Sequence, residues 1–129
     1  MSYSTKEVWI PCDSQSQALS AASESAVLAI KSGTADVARG LLYGVKVRVS
    51  AADAGNAAVD FRAYTDSSKT QLIYSVIFDF TTANVGSEIH DADTLATPFP
   101  VFATPYFTVT PGAATALTFT ATYMMKALA

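Results

Sequence analysis

The feature that most constrains the fold is a strict alternation of apolar and polar residues near the end of the chain. From residue 117 to residue 125 every second residue is apolar, and the residues between them are mainly threonines. Successive side chains of a β-strand point to opposite faces, so this pattern predicts a strand with one buried and one solvated face. The same period recurs in two earlier segments. The apolar positions are Val45, Val47 and Val49 in the first segment, Val59, Phe61 and Ala63 in the second, and Leu117, Phe119, Ala121, Tyr123 and Met125 in the last.

Shorter apolar segments between turn residues predict the remaining strands. Residues 71–81 predict a strand covered on both faces, because Ile73 and Ile77 lie opposite the face of Tyr74 and Phe78. The turn residues 52–56 predict a hairpin in which residues 45–50 pair with residues 59–64. The other expected segments are short strands at residues 27–31 and 106–110, and an irregular edge segment at the proline-rich residues 98–103.

Six or seven short strands with turns about every ten residues indicate one fold class. We expect an all-β, single-domain antiparallel β-sandwich, or a jelly-roll-like version of it, over residues 23–129. Residues 1–22 are expected to form a less regular N-terminal arm and loop. Within it, residues 8–11 predict an edge strand or a docking arm that a proline ends, and residues 13–22 predict a loop with one helical turn.

Charge and hydropathy exclude several classes of function. The net charge is −3 and no lysine or arginine stripe is present, so a nucleic-acid partner is not expected. The sequence has no run of about 18 apolar residues, so we expect no transmembrane helix. The N-terminal residues also lack the apolar segment that is typical of a secretory signal. We therefore expect synthesis in a cytosol, where the protein either stays or is assembled into something larger.

Catalytic and cofactor chemistry has little support in the sequence. Cys12 and His90 are the single cysteine and the single histidine, and no nucleophile elbow or phosphate-binding loop occurs. We expect no enzyme activity, no cofactor and no metal. Glu88, His90, Asp91 and Asp93 lie in an expected surface loop over residues 82–97, where a solvated acidic loop is favoured over the alternative of a metal site.

Aromatic and amide side chains supply the candidates for a partner interface. Tyr74 and Tyr123 fall on apolar strand faces and are expected in the core. Trp9 and Tyr64 are expected to be exposed, as interface anchors or as a platform for sugar stacking. The expected interface residues are Trp9, Ile10, Gln15, Gln17 and Tyr64.

Several segments together give the chain a family resemblance. These are Leu41-Leu42-Tyr43-Gly44-Val45, Tyr64-Thr65-Asp66, Pro98-Phe99-Pro100, Tyr106-Phe107-Thr108-Val109-Thr110, and the last strand through Tyr123. Over residues 40–123 the chain resembles small β-sandwich proteins of tailed-phage particles, notably head decoration (cement) proteins.

The resemblance implies a structural protein on the capsid surface of a virion. It would bridge neighbouring subunits of the major capsid protein, often as a homo-oligomer such as a trimer. A tail or fibre component and a glycan-binding or adhesive β-sandwich module are the alternatives, because adhesive sandwiches share much of the pattern.

Overall fold

The computed structural model describes residues 8–52, 58–79 and 89–127, without the side chains of residues 50–52, 79, 89–93 and 96. The described part contains eleven β-strands and no helix. The strands are β1 Trp9–Ile10, β2 Gln15–Leu19, β3 Leu28–Ala29, β4 Lys31–Ser32, β5 Ala35–Asp36, β6 Gly40–Ala52, β7 Ala58–Tyr64, β8 Leu72–Asp79, β9 Ile89–Val101, β10 Tyr106–Thr110 and β11 Leu117–Lys126.

Two antiparallel sheets pack face to face and confirm the predicted all-β sandwich. In sheet A, β6 lies between β11 and β9, and β1 and β2 together form the strand beside β11. Sheet B has the order β3-β10-β7-β8, and β4 and β5 form a separate hairpin. The sheets therefore end at four edges, and β8 and β9 are the edge strands on the same side of the sandwich, where they touch.

The core lies between the sheets, and the alternating residues fill it as predicted. All five apolar positions of β11 are buried, as are Val45, Val47 and Val49 of β6 and the apolar positions of β7. Phe61 of β7 meets Phe119 of β11 edge to face, with ring centroids 5.5 Å apart. Tyr74 and Tyr123 are buried, which confirms their expected place in the core.

The predicted hairpin of residues 45–50 with residues 59–64 is wrong. β6 pairs with β11 and β9 in sheet A, whereas β7 pairs with β10 and β8 in sheet B. Both strands turn their apolar residues toward the same core, but from opposite sides. Alternation identifies the buried face of a strand and leaves its hydrogen-bonding partner open.

Three further expectations are corrected at the edges. The loop expected over residues 82–97 is wrong from residue 89, where β9 begins, because an edge strand accommodates charged residues and prolines. β8 is not covered on both faces by the rest of the described chain, since Ile77 is 64% exposed. The loop expected over residues 13–22 is wrong for Gln15–Leu19, which form β2 on the edge of β11.

A bulge in β6 interrupts the alternation of its side chains. Gly44 has φ 149°, and the β6 pairing shifts register beside it, so Leu42 and Val45 both point inward across the bulge.

The β4–β5 turn places Gly33 and Thr34 at positive φ, and the Asp13 carboxylate accepts hydrogen bonds from both backbone N–H groups at 2.9 and 2.8 Å. Asp13 thus ties the hairpin to the N-terminal strands.

Candidate protein-interaction site

Exposed aromatic side chains are concentrated where β9 ends. Phe102 is 76% exposed and Phe99 is 41% exposed. With Pro100, Val101 and Ala103 they line a groove of about 500 Å³ that Thr65 and Gln71 also line. We call this set of seven residues the apolar groove.

The local sequence explains why these rings face solvent. β9 is the edge strand of sheet A, and prolines at 98 and 100 remove two backbone donors from it. Val101 is buried, so its neighbour Phe102 points the other way as the chain bends out of the strand. The described residues therefore leave most of the Phe102 ring uncovered.

Apolar exposure continues along the neighbouring edge strand. Leu72 follows the groove residue Gln71 at the start of β8 and is 50% exposed, and Ile77 lies further along β8. Contiguous exposed apolar surface in a folded protein marks interaction sites. Exposed apolar side chains thus lie on β8 as well as at the end of β9, and the apolar groove is the candidate interaction site.

Trp9 is exposed as expected, but its ring already has partners within the chain. It lies 5.3 Å from the Tyr43 ring, and the Lys126 ammonium sits 4.7 Å from the Trp9 centroid and 4.6 Å from that of Tyr43. This cation–π arrangement holds β1 against β11. Ile10, the next residue, packs against the core.

The two glutamines point into the edge of the sandwich rather than to its surface. Gln15 donates from Nε2 to the Ala29 carbonyl at 2.8 Å and thereby links β2 of sheet A to β3 of sheet B. Gln17 is half-buried, and its Oε1 is buried without a hydrogen-bond partner among the described residues. On β2 the exposed positions are Ser16 and Ala18.

Tyr64 is buried, so its expected exposure is wrong. Its hydroxyl donates to Glu24 Oε1, which also accepts from Thr108 Oγ1 at 2.7 Å. Burial acts to raise the pKa of Glu24, but the hydrogen bonds from Tyr64 and Thr108 and the charges of Lys69 and Arg62 hold it below its ordinary value. The polar network anchors the segment before β3 onto sheet B.

The single cysteine has the properties of a structural residue. Burial, with a smaller contribution from the Asp13 charge, raises the pKa of Cys12 to about 11. The thiol is therefore protonated at neutral pH, and the thiolate is the nucleophilic form.

The acidic segment, for which a metal site is the alternative to a solvated loop, lies largely outside the described side chains. Glu88 lies outside the described residues, as do the side chains of His90, Asp91 and Asp93. Among the described side chains, no three of the His, Cys, Asp and Glu type come together as a metal site.

No protein-family model matches the chain, and no curated protein matches it. Within the described residues there is also no helix long and apolar enough to cross a membrane.

The five residues expected at an interface do not form one surface. Trp9 and Ile10 lie at one end of the edge of sheet A, the glutamines face inward, and Tyr64 lies on sheet B under Glu24. The apolar groove was missed by sequence reasoning. Its signal was present in the Pro-Phe-Pro segment, where prolines at an edge leave aromatic rings without ladder neighbours.

Proposed function

We propose that this protein is a non-enzymatic structural component of a tailed-phage virion, a decoration protein that binds the major capsid protein on the capsid surface. The observation that carries the proposal is the apolar groove, in which Phe102 is 76% exposed. Interfaces between proteins are enriched in aromatic residues at their centres, and anchors of this kind supply much of the binding energy.

The rest of the molecule is consistent with a scaffold that presents this groove. Two sheets share one packed core, so the groove residues are held by a rigid body. The N-terminal strands are fixed by backbone pairing and by the Lys126 cation–π contacts. In an oligomer the grooves are linked and can engage neighbouring sites on a shell together, so the avidity adds to a modest contact at each groove.

Co-sedimentation with capsids tests the proposal. Purified protein is mixed with heads assembled from the candidate major capsid protein and pelleted, and the bound fraction is measured against protein concentration. We expect saturable binding for the wild type and at least a ten-fold weaker apparent affinity for Phe102→Ser, which keeps the fold because Phe102 is already exposed.

Thr118→Ser, a change on the outer face of sheet A, is the matched control and should bind like the wild type. Wild-type protein that stays in the supernatant at all concentrations would overturn the proposal. Equal binding by Phe102→Ser would show that the groove is not the contact.

A further inference from the structure

The apolar groove also contains a polar group, which the loop between β7 and β8 supplies. Thr65 and Gln71 are the polar residues of its lining. The Thr65 hydroxyl donates to Gln71 Oε1 at 2.7 Å, and the Thr65 N–H donates to the Gln71 carbonyl at 3.1 Å. Among the described residues no acceptor takes the Nε2 protons of Gln71, so this exposed amide has two N–H donors available to a ligand.

Hydrogen bonds within the loop hold this donor in place. The Asp66 carboxylate accepts from the backbone N–H groups of Thr70 and Gln71 at 3.0 and 2.9 Å, and from the Thr70 hydroxyl at 2.6 Å. Residues 65–71 are therefore fixed at both ends of the loop. A donor that is already ordered loses less conformational entropy on binding than one that the ligand must order.

The rest of the groove lining is apolar, and none of the seven lining residues is charged. The charged residues at the start of β9 pair with residues 45–49, whereas residues 99–101 pair with residues 40–42 at the other end of the strand. A charged group of a ligand would lose its hydration in this groove without gaining an opposite charge. The groove therefore favours an uncharged ligand.

The edge of β9 does not favour the addition of a partner strand at the groove. Pro98 and Pro100 have no backbone N–H, and prolines lie in sheets with the missing donor on the open edge. A strand laid along this edge would leave its own carbonyls without donors at two positions. A ligand that binds mainly through side chains fits this edge better than a β-strand from a second copy.

A polyproline II segment has the chemistry that this groove requires. It forms no internal hydrogen bonds, so its backbone carbonyls are free to accept from an amide such as that of Gln71. The carbonyls of an α-helix are already bonded within the helix and would give this amide no acceptor. Proline-rich segments of this conformation are also recognised in grooves lined by aromatic rings, here those of Phe99 and Phe102.

We propose that the apolar groove binds an uncharged, proline-rich segment in the polyproline II conformation. Proline rings of the segment lie against Phe99 and Phe102, and one of its carbonyls accepts from Gln71 Nε2. The groove volume of about 500 Å³ lies within the roughly 300–1,000 Å³ of pockets for drug-sized ligands, so a few residues of the segment enter it. The inference rests on the proposed function for the source of the segment, which would be the major capsid protein.

Nuclear magnetic resonance titration of the full chain with a capped peptide of repeated Pro-Pro-Leu tests the proposal. The comparison peptide has alanine in place of each proline, and both peptides are flanked by serines for solubility. We expect saturable shifts of the Gln71 side-chain amide and the Phe102 ring signals with the proline peptide. The alanine peptide should bind at least ten-fold more weakly, because it must be ordered on binding. The affinity should stay within two-fold as salt is raised, because the lining carries no charge.

Matched variants separate the amide donor from the apolar contact. Gln71→Met keeps the length of the side chain and should weaken peptide binding about five-fold, the effect of one lost hydrogen bond. Thr65→Val removes the hydroxyl that positions this amide and should cause a smaller loss, whereas Phe102→Ser should abolish saturable binding. Ser68→Ala, an exposed change in the same loop outside the groove lining, should bind within two-fold of the wild type. Thermal unfolding of each variant verifies the fold.

The assignment is overturned if the proline peptide gives no saturable shifts, if the alanine peptide binds equally well, or if Gln71→Met binds like the wild type. Pelleting with capsids separates it from the proposed function. Wild-type protein that pellets with capsids and ignores the proline peptide would contradict this mode of binding and leave the decoration role standing. Peptide binding without pelleting would contradict the decoration role and leave the assignment of the groove standing.

Discussion

At the scale of single residues, the two glutamines of β2 show how the same side chain acts differently at neighbouring inward positions. Gln15 satisfies its amide on the Ala29 carbonyl, whereas Gln17 buries an oxygen that has no partner among the described residues. An unmade hydrogen bond in a buried position costs the desolvation of the polar atom, while a made bond offsets it.

Substitution of each glutamine by leucine should therefore have opposite effects. Gln15→Leu leaves the Ala29 carbonyl without its donor and should lower the free energy of unfolding by about 1–2 kcal/mol. Gln17→Leu removes the unsatisfied oxygen and should leave stability unchanged or raise it by up to about 1 kcal/mol. Urea denaturation measures both, and a larger loss for Gln17→Leu than for Gln15→Leu would contradict this account.

Glu24 provides a residue whose contribution depends on pH. Its pKa is held below the ordinary value of 4.5, so the folded state binds its proton less readily than the unfolded state does. The stabilisation is present above the unfolded-state pKa and is lost as the pH falls through the folded-state pKa.

Glu24→Gln should consequently lower stability at neutral pH by about 1–2 kcal/mol, and the difference from the wild type should shrink below pH 4.5. Thermal unfolding of both proteins, measured between pH 3 and pH 7 at intervals of roughly one pH unit, gives this difference in stability. Asp36→Asn, an exposed change on β5, is the control. A difference from the wild type that stays constant across the range would exclude the ionised carboxylate as the cause.

At the scale of elements, the alternation of residues predicted the central strands β6, β7 and β11 and the faces they bury. β11 is the clearest case, since its buried and half-buried positions alternate from Leu117 to Lys126 without exception. β2 was missed because two of its three inward-facing residues are glutamines, so its sequence shows no regular series of apolar residues. β9 was missed at its start because charged residues occupy an edge strand there.

Strand pairing could not be predicted in the same way. β6 and β7 are adjacent in sequence with turn residues between them, yet they lie in different sheets. Pairing depends on where the turn directs the chain and on which neighbours compete for each edge, and neither is encoded in the period. The candidate site could not be predicted for the same reason, because residues 99–102 are exposed through the position of β9 at a sheet edge.

The close approach of β1, β11 and the start of β6 gives a sharp test of the element packing. A Cβ atom at Gly40 would lie 2.9 Å from the Lys126 carbonyl oxygen, 3.0 Å from Ile10 Cδ1 and 3.1 Å from Met125 Cε. The carbonyl belongs to the backbone and cannot turn away as a side chain could.

Gly40→Ala should therefore destabilise the protein by about 1–3 kcal/mol, because the strands must separate to admit one methyl group. Ala38→Ser, at an exposed position two residues earlier, adds an atom without this crowding and should be neutral. Denaturant midpoints compare the two variants. An unchanged midpoint for Gly40→Ala would mean that the Lys126 carbonyl of β11 does not approach this glycine in solution.

At the scale of the whole molecule, the apolar groove lies at one edge of the sandwich, where β9 and β8 are neighbours. Attachment to a particle through this edge would leave the outer face of sheet A open to solvent.

We expect the protein to self-associate. The resemblance to decoration proteins implies a homo-oligomer, and the exposed Leu72 and Ile77 of edge strand β8 provide an apolar contact for it. Light scattering after gel filtration should give a molar mass that is a multiple of 13.6 kDa, with three chains as the expected assembly. Ile77→Lys should shift the mass toward one chain, whereas a wild-type monomer at all concentrations would contradict the oligomer.

In the proposed role, the protein occupies fixed positions on the outside of a phage capsid. Electron cryomicroscopy of the native particle tests it most directly. We expect density for the sandwich between neighbouring capsid subunits, with the end of β9 and Phe102 against the shell and the outer face of sheet A toward solvent. A shell without this density, or density found solely on the tail, would contradict it.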